Sequence, residues 1–551
     1  MRDRVTPTEW RWVLAWSWWP LLLTSFPYLL AAALATDERA FGGFVYAVED
    51  GYSYLAKMRL GAEGAWLFRI AYTPEPHHWA LFFPFHILLG KVARLLPGGD
   101  LTTCMVWTYH GARLVCGLLL LLMVYRFLAA FTERIVVRRW AWLLVTWSGG
   151  LGWLLVVLGQ PGWLGSMPLD FILPEGFTFL VLYGFPHIAL ARALLLVGMV
   201  GMLHAWGWGR LRSDLRSALG SGLAWLTMGL IVPFYVAVAW AVLGGAWVVW
   251  AVRRRRIPWR ALWMAALAMA VSAPIVLYSA WMFTVDPVYQ VWGTQNRILS
   301  PHPLHYLVAY GVPLAWAAVS LRDVWRDAGP GWWALAWVGV VPLLVYLPIN
   351  IQRRLVEGVQ VPLSLLAAWG MVRVRESLRR MPQGWMAAVL VTLSLTNVLL
   401  IGGNCLALRG LPAPIYRDVE EIAALDWLAG EVDFDDVVLT AYETGNYLPA
   451  RVAARAFVGH GPESVHAEEK KALVARFFSE TSETVDRTVD DRWRQRLLRE
   501  YGVDYVFWGP AERRLGAFDP TGASYLRPVY RSAGYIVFRV ELEKGEMGEV
   551  R

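Results

Sequence analysis

The sequence predicts a mainly α-helical, polytopic membrane protein with a bundle of about eleven transmembrane helices and a C-terminal soluble α/β domain. Of its 551 residues, 57% are hydrophobic and 17% are charged. Apolar runs repeatedly reach the roughly 20 residues that a helix needs to cross a bilayer. From Leu411 onward the composition changes, because 25 acidic residues there face 18 basic ones. These observations exclude an ordinary soluble globule.

Eleven apolar segments are predicted to span the membrane within a transmembrane domain at 1–408. The pair around Pro233 is treated as two spans, because its combined apolar run is too long for one crossing. The eleven segments are 12–34, 105–127, 139–158, 178–205, 217–232, 234–251, 260–283, 305–322, 331–348, 356–373 and 384–407.

The first segment is predicted to be a retained signal anchor. Arg2, Arg4 and Arg11 come before or at its start. The apolar run is long for a signal-peptide core and ends without a small-residue cleavage site. We therefore expect the N-terminus to be cytoplasmic.

Clusters of arginine define the expected orientation. With the spans as assigned, five clusters fall on the cytoplasmic side, as the positive-inside rule requires. This agreement requires that 79–96 lies on the outer face as an interfacial helix rather than crossing. We expect a multi-pass plasma-membrane protein whose loop 36–104 and C-terminal domain 409–551 are extracytoplasmic. The clusters are Arg126/Arg134/Arg138/Arg139, Arg210/Arg212/Arg216, Arg253 to Arg256, Arg322/Arg326 and Arg373/Arg375/Arg379/Arg380.

The charge and the cysteines narrow the choice of partners. The net charge of +8 is divided among short clusters between apolar segments, so it indicates membrane topology and contact with membrane lipids, with no nucleic acid as a partner. Cys104, Cys116 and Cys405 show no spacing typical of metal ligands.

The C-terminal domain shows the pattern of a small α/β domain. Strands are predicted at 435–441, 504–509 and 535–542, and amphipathic helices at 466–480 and 490–502. The loops 442–446 and 459–461 fall where α/β domains commonly bind ligands. No GxGxxG or Walker motif is present, so nucleotide binding is not supported. Acceptor recognition and simple docking both remain open for these loops.

Glu49 and Asp50 are the first candidates for chemistry. They are adjacent carboxylates in the segment FGGFVYAVEDGYSYLAKM, at 41–58, within the first external loop. A carboxylate is suited to take a proton from a hydroxyl that attacks an anomeric carbon. Tyr54, Leu55 and Met58 share one helical face, which predicts a packed helix as a rigid mount. The alternative is a solvated turn or helix cap, since Asp-Gly is a common turn dipeptide.

The chain resembles the GT-C superfamily of membrane glycosyltransferases, which includes the protein O-mannosyltransferases and the aminoarabinose transferases of lipid A. The resemblance rests on the D-x-x-x-Y pattern of Asp50 and Tyr54 in a long first external loop, the interfacial segment, the number of spans and the C-terminal domain. The stretches that carry it are VEDGYSYLAKMRLG, AYTPEPHHWALFFPFHILLGKVARLLP and NIQRRLVEGVQVPLSLLAAWG. The sequence is similar to an uncharacterised bacterial branch of this superfamily.

The resemblance implies a polyprenyl-phosphate sugar as donor and a hydroxyl of a glycan, lipid or protein as acceptor, with inverting transfer. It places Asp50 at the catalytic acidic position, with Glu49 as alternate base or orienting partner. It leaves a divalent metal possible and implies no other cofactor. Asp37 and Glu38 also follow the first span, although their position beside Arg39 favours a paired interface charge.

A second candidate cluster comprises Gln352, Arg353 and Arg354 on an external turn. Paired arginines outside the membrane oppose the positive-inside trend, and a guanidinium binds phosphate through a planar fork. We expect this cluster to hold the lipid phosphate of the donor. The alternative is an interfacial pair neutralised by Glu357 or by lipid headgroups.

Further substrate-binding candidates are Asn296 and Arg297 in an external loop, His187 near the outer end of a helix, and Tyr54 and Lys57 beside Asp50. For each, a plain loop or packing role is the alternative. A separate group containing Glu75, His77, His78 and His86 matches no standard zinc spacing, so no metal ligand is assigned.

Two other functions remain open: a transporter or flippase for a lipid-linked glycan, and a binder of that glycan without catalysis. A transporter is expected to carry charges at mid-membrane and broken helices in related halves. Here the polar candidates cluster at one face, and Pro233 is the one break that fits. The sequence therefore favours the enzyme.

Overall fold

The structure is a computed structural model that describes residues 4–207, 215–326, 329–378, 384–479 and 487–542. Arg210, Arg212, Arg379 and Arg380 of the predicted basic clusters lie outside the described residues.

The chain divides into two compact units. The first contains Met1–Leu29, Tyr109–Trp281 and Arg297–Leu406. The second contains Leu30–Thr108, Met282–Asn296 and Ala407–Arg551. The second unit therefore contains residues of the first predicted external loop together with the C-terminal domain.

Helices dominate both units. The α-helices are Pro7–Leu34, Val48–Ala62, Pro84–Arg94, Leu101–Phe131, Ile135–Trp147, Gly152–Val157, Leu169–Ile172, Thr178–Gly184, Pro186–Ala205, Leu215–Ile231, Tyr235–Arg254, Trp259–Val285, Pro287–Gln295, Leu304–Arg326, Gly331–Leu344, Gln360–Ser377, Trp385–Ala407, Val419–Ala429, Tyr442–Arg451, Ala467–Phe478, Arg487–Glu500 and Pro510–Arg513. Short 3-10 helices are found at Trp163–Gly165, Gln352–Val356, Leu408–Gly410 and Pro520–Gly522.

Nine helical segments of the described chain are long and apolar enough to cross a membrane, by length and composition. They are Pro7–Leu34, Leu101–Phe131, Ile135–Val157, Pro186–Ala205, Tyr235–Arg254, Trp259–Val285, Leu304–Arg326, Gln352–Ser377 and Trp385–Gly410. The predicted spans 217–232 and 331–348 correspond to the shorter helices Leu215–Ile231 and Gly331–Leu344. The predicted class, a polytopic helical membrane protein, is confirmed.

Some predicted segments are not single continuous helices. The span 139–158 is divided between the helices Ile135–Trp147 and Gly152–Val157. The span 178–205 is interrupted at Phe185, between the helices Thr178–Gly184 and Pro186–Ala205. The residue before a proline is disfavoured in helical conformation, and proline lacks the N–H that would continue the ladder. In the segment 79–96 the helix covers only Pro84–Arg94. Its length of about 16 Å is too short to cross a bilayer.

Close backbone contact holds parts of the first unit together. The helix Gln360–Ser377 packs on Leu304–Arg326, and a Cβ added at Gly370 would lie 1.9 Å from the carbonyl oxygen of Trp316. Small residues allow helix backbones to approach in this way in membrane proteins. Gly370 is therefore required by the spacing of these two helices.

The C-terminal part of the second unit contains a five-stranded mixed sheet. Strands β1 (Arg39–Phe41) and β2 (Tyr416–Asp418) form a separate antiparallel pair. The larger sheet has the order β4–β3–β5–β7–β6, with β3 parallel to β4 and β5 and the β5–β7 and β7–β6 pairs antiparallel. Its strands are β3 (Val437–Leu439), β4 (Arg455–Ala456), β5 (Tyr505–Trp508), β6 (Leu526–Arg531) and β7 (Ile536–Val540).

This sheet confirms the predicted α/β domain. All three residues of β3 are buried, as expected for a parallel strand covered on both faces. Phe477 and Phe478 of the helix Ala467–Phe478 and Leu497 and Leu498 of the helix Arg487–Glu500 belong to the same apolar core. The sequence pattern therefore located β3, β5, β7 and both amphipathic helices, whereas β4 and β6 were not predicted.

In the same unit, the helix Val48–Ala62 packs against Pro84–Arg94 and against Tyr442–Arg451. A Cβ at Gly90 would lie 1.7 Å from the carbonyl oxygen of Met58, and one at Gly61 would lie 2.0 Å from that of Ile87. The backbones of the helices Val48–Ala62 and Pro84–Arg94 are thus in direct contact. The residues that follow Ala47 are consequently carried on a closely packed element.

We predict that Gly370→Ala lowers the stability of the protein by about 1–3 kcal/mol, the usual cost of forcing an extra methyl into a filled contact. The matched control is Gly311→Ala on the partner helix, where an added Cβ meets no atom of the described residues within 4 Å. Thermal unfolding of the detergent-solubilised protein measures both. Equal melting temperatures for the two variants would contradict the assigned packing.

Candidate functional site

The helix Val48–Ala62 presents the predicted carboxylates on its first turn. Ala47 precedes it in the left-handed conformation, with φ of 50°, and Glu49 and Asp50 follow within the first turn. Free N–H groups and the positive end of the helix dipole favour carboxylates at this position. Leu55 and Met58, further along the helix, are fully buried. Asp50 therefore stands on a rigid mount, as the helical spacing predicted.

His460 links Asp50 to the C-terminal domain. Its Nε2 lies 3.2 Å from Asp50 Oδ1, and its Nδ1 lies 3.4 Å from Glu463 Oε1. The side chains of His460 and Glu463 are each 6% exposed, whereas that of Asp50 is 46% exposed. The imidazole is thus buried between two carboxylates, one of which stays open to solvent.

This surrounding determines the charge of the imidazole. Burial alone lowers the pKa of His460, but the hydrogen bonds and charges of Asp50 and Glu463 outweigh it and raise the pKa to about 9. For Glu463, burial raises the pKa, whereas Lys57 and His460 lower it to about 2. At neutral pH the pair is therefore an imidazolium and a carboxylate.

Lys57 belongs to the same cluster. Its ammonium lies 2.6 Å from Glu463 Oε1 and also donates to Ser53 Oγ, while Ser53 Oγ donates to Glu463 Oε1 at 2.6 Å. The Lys57 side chain is 2% exposed, and its Nζ lies 4.5 Å from the centroid of the Phe83 ring. Lys57, expected from sequence to bind substrate, is here directed into the interior and pairs with Glu463.

Glu49 is held by the same C-terminal loop through a tyrosine. Tyr442 Oη donates to Glu49 Oε2 at 3.0 Å and accepts from the backbone N–H of Gly461 at 3.1 Å. The loop that carries His460 therefore contacts Asp50 directly and Glu49 through the Tyr442 hydroxyl. We call residues 459–464 the histidine loop.

Two glycines allow the histidine loop to lie this close. A Cβ at Gly459 would lie 2.4 Å from the carbonyl oxygen of Gly445, and one at Gly445 would lie 1.9 Å from that of Val458. Any side chain at either position would separate the loop from the helix Tyr442–Arg451. The Gly-His-Gly run at 459–461 is a sequence signal for such a close approach. The sequence alone does not show that Gly445 is the residue against which Gly459 packs.

Side-chain amides brace the other side of the histidine loop. Gln295 Nε2 donates to the carbonyl oxygen of Ser464 at 2.7 Å, and Asn296 Nδ2 donates to that of Pro462 at 2.7 Å. The amide nitrogen of Asn296, expected from sequence to bind sugar, thus holds the loop that carries His460.

Tyr54 lies beside the charged cluster, and Lys57 Nζ is 5.6 Å from the centroid of its ring. Its ring is half-buried and stacks on the imidazole of His86, with centroids 4.8 Å apart and planes 13° apart. Of the predicted residues in the second unit, Asp50, Lys57 and Asn296 contact the histidine loop directly, and Glu49 contacts it through Tyr442.

The predicted phosphate-binding arginines lie in the first unit, on the 3-10 helix Gln352–Val356. Arg354 Nε lies 3.5 Å from Glu175 Oε1. Glu357, considered as their neutralising partner, is instead fully buried and pairs with Arg192 through contacts of 2.5 and 3.0 Å. Among the described residues, none accepts a hydrogen bond from the buried Arg353 Nε.

The other candidates in the first unit, Gln352, Arg297 and His187, have different surroundings. Gln352 is half-buried at the start of the 3-10 helix, and Arg297 is exposed. His187 is buried at the N-terminal turn of the helix Pro186–Ala205, where its ring meets that of Phe185 edge to face at 6.0 Å.

The described ranges contain no group of three or more His, Cys, Asp or Glu side chains arranged to hold an ion. His77 accepts from the N–H of Ile70 at 2.9 Å, and its Nδ1 lies 2.8 Å from the carbonyl oxygen of Glu75. His78 pairs with Asp286 at 2.8 Å. The two neighbouring histidines therefore have separate local partners.

Comparison with known proteins adds a fold assignment. No family model matches the chain, and no curated protein matches it by sequence. The arabinofuranosyltransferase AftD from Mycobacteria aligns with a TM-score of 0.52 and 15% identity over 98% of this chain, which spans 42% of AftD.

Two further solved structures align over most of the chain. ArnT from Cupriavidus metallidurans bound to undecaprenyl phosphate gives a TM-score of 0.49 and 12% identity over 95% of this chain and 98% of that one. The oligosaccharyltransferase from Archaeoglobus fulgidus tethered with an acceptor peptide gives 0.47 and 13% over 89% and 69%. The chain shares the fold of the mycobacterial arabinofuranosyltransferase.

We predict that Lys57→Met destabilises the protein by roughly 3–5 kcal/mol, because it leaves the buried Glu463 without its ammonium partner. The control is Lys471→Met, which removes a lysine that pairs with Glu468, 88% exposed, at 2.9 Å. Loss of such a surface pair costs below about 1 kcal/mol. Denaturant unfolding of the solubilised full chain compares the two, and equal losses would contradict the buried role of Lys57.

Proposed function

We propose that the protein is an integral membrane glycosyltransferase that transfers a sugar, with inversion, from a polyprenyl-phosphate donor to an acceptor hydroxyl. The observation that carries this proposal is the half-exposed Asp50 carboxylate, mounted on the first turn of a packed helix and paired with a buried imidazolium. The fold shared with the mycobacterial arabinofuranosyltransferase supports glycosyl transfer as the class of reaction.

Asp50 acts as the general base. The acceptor oxygen attacks the anomeric carbon, its proton passes to the Asp50 carboxylate, and the bond from the anomeric carbon to the phosphate oxygen breaks with its electrons leaving on the phosphate. General-base catalysis requires an ionised group within hydrogen-bond reach of the proton. A neighbouring cation favours the ionised carboxylate, and exposure of Asp50 leaves it accessible to an acceptor.

The leaving phosphate requires charge stabilisation rather than a proton. We assign this role to Arg353, with Gln352 and Arg354 as neighbours. Arg354 already has the Glu175 carboxylate at 3.5 Å, whereas Arg353 Nε has no acceptor among the described residues. A guanidinium with an unused donor is suited to a phosphate oxygen.

We place the site on the extracytoplasmic side of the plasma membrane, with the N-terminus in the cytoplasm. The support is the distribution of arginine clusters between the apolar segments. The acceptor is a glycan, a lipid or a protein that presents a hydroxyl to this side. Membrane lipids surround the helical part.

We predict that Asp50→Asn abolishes transfer while the amount of folded protein stays unchanged. The amide keeps the shape of the carboxylate but cannot accept the proton at neutral pH. The assay incubates purified protein with a panel of polyprenyl-phosphate sugars and acceptors and follows the release of lipid phosphate. Asp37→Asn, at an exposed carboxylate close to the first span, is the control and retains activity. Turnover by Asp50→Asn would show that Asp50 is not the base. If the wild-type protein binds the donor but releases no lipid phosphate, the result would favour a glycan binder or a transporter.

We predict that Arg353→Ala raises the KM for the lipid-linked donor about 10–100-fold, the effect of losing one charge-assisted hydrogen bond to phosphate. Arg373→Ala is the control, because Arg373 is a partly exposed arginine of the same unit that pairs with Asp323 at 2.6 Å. Initial rates at varied donor concentration separate KM from kcat. Unchanged donor KM in Arg353→Ala would remove Arg353 from the phosphate site.

A further inference from the structure

We propose that His460 is a positioning residue for the transfer reaction: its doubly protonated imidazole fixes the Asp50 carboxylate, and Glu463 fixes the imidazole. This inference rests on the proposed function of Asp50. It assigns to the histidine loop of the C-terminal domain a direct part in preparing the catalytic carboxylate.

Three side chains on one helix contact two side chains of the histidine loop. Asp50, Ser53 and Lys57 are spaced by three and four residues, so they share a face of the helix Val48–Ala62. Asp50 meets His460, while Ser53 and Lys57 meet Glu463, three residues further along the same loop. The loop is therefore attached to the helix at two points, and rotation of the Asp50 side chain would break its contact with His460.

The charges along this set alternate. The sequence of contacts is carboxylate, imidazolium, carboxylate and ammonium, from Asp50 to Lys57. In a doubly protonated imidazole both ring nitrogens carry an N–H. Nε2 lies within hydrogen-bond distance of Asp50 Oδ1, at 3.2 Å, whereas Nδ1 forms an ion pair with Glu463 Oε1 at 3.4 Å without hydrogen-bond geometry. A neutral imidazole carries one N–H and no charge. Deprotonation of His460 therefore weakens the restraint on Asp50.

The titratable groups that face His460 come from four elements. Glu49, Asp50 and Lys57 lie on the helix Val48–Ala62, and Glu463 lies on the histidine loop. Tyr442 begins the helix Tyr442–Arg451, and the ring centroids of Tyr72 and His460 are 5.7 Å apart. Burial raises the pKa of Tyr442 to about 12 and that of Tyr72 well above its ordinary value. Both tyrosines thus titrate above His460, whose pKa is about 9.

The test is the pH dependence of kcat, measured from pH 6 to 10.5 at saturating donor. We expect wild-type kcat to fall above about pH 9, because His460 is protonated below that value and loses its proton above it. In His460→Gln the side chain is uncharged at every pH. We expect kcat to be about 10–100-fold lower, a usual penalty for a misplaced catalytic group, with no inflection near pH 9 and an unchanged donor KM.

Glu463→Gln gives a second, independent readout while keeping His460. Removing one of the two flanking carboxylates lowers the pKa of the imidazole toward the ordinary histidine value of about 6.5. We expect the alkaline inflection to move to lower pH, a shift that a purely structural role would not produce. Because the two variants change different side chains, one of them keeps the proposal testable if the other fails to fold.

Wild-type kcat with an unmoved inflection in either folded variant would overturn the positioning role. Asp50→Asn distinguishes the two proposals. If Asp50→Asn is inactive and the two variants keep the wild-type profile, the assignment of His460 fails and Asp50 remains the base. If Asp50→Asn is active, the proposed base itself fails.

Discussion

The ionic contact between the helix Val48–Ala62 and the histidine loop is the interaction on which the arrangement of the candidate site depends. Glu463 is buried with two cationic neighbours, Lys57 and His460, and with the hydroxyl of Ser53. A charge removed from water is tolerated only when paired and hydrogen-bonded. Each of these buried charges is therefore stabilised by its neighbours. The imidazole that contacts the half-exposed Asp50 carboxylate through Nε2 is itself paired with Glu463 through Nδ1.

Backbone proximity reinforces this electrostatic set. Gly445 and Gly459 bring the histidine loop against the helix Tyr442–Arg451, and Gly61 and Gly90 bring the helix of Asp50 against its neighbour Pro84–Arg94. Such contacts leave little room for sliding, because interiors are close-packed. The amides of Gln295 and Asn296 close the remaining side of the loop. The second unit therefore supplies a preorganised carboxylate, which is the property that catalysis by proton transfer demands.

The helices and strands that could be predicted from the sequence are those specified by a local residue pattern. Apolar length identified the spanning segments, and alternating and helical periodicities identified β3, β5 and the two amphipathic helices of the C-terminal domain. The start of a packed helix at Glu49 and Asp50 followed from the three- and four-residue spacing of its buried face. In each case the controlling physics acts over a few residues or over the length of one helix.

The side chains that pair with the site residues could not be predicted from a local sequence pattern. Asp50 and His460 are 410 residues apart in sequence, and Glu357 and Arg192 are 165 residues apart. No local pattern specifies such pairs, because their formation depends on how distant elements pack. The same reason explains Lys57: its spacing from Asp50 indicated a shared face, but whether that face meets a substrate or a buried carboxylate depends on the tertiary fold.

The coupling free energy between Asp50 and His460 measures whether the imidazolium holds the carboxylate. It is obtained from the unfolding free energies at pH 7 of wild type, Asp50→Asn, His460→Gln and the double variant, all as full chains in detergent. Side chains in contact give non-additive losses. We expect the double variant to lose less stability than the sum of the losses in the two single variants. Strictly additive losses would show that the imidazolium does not hold the carboxylate.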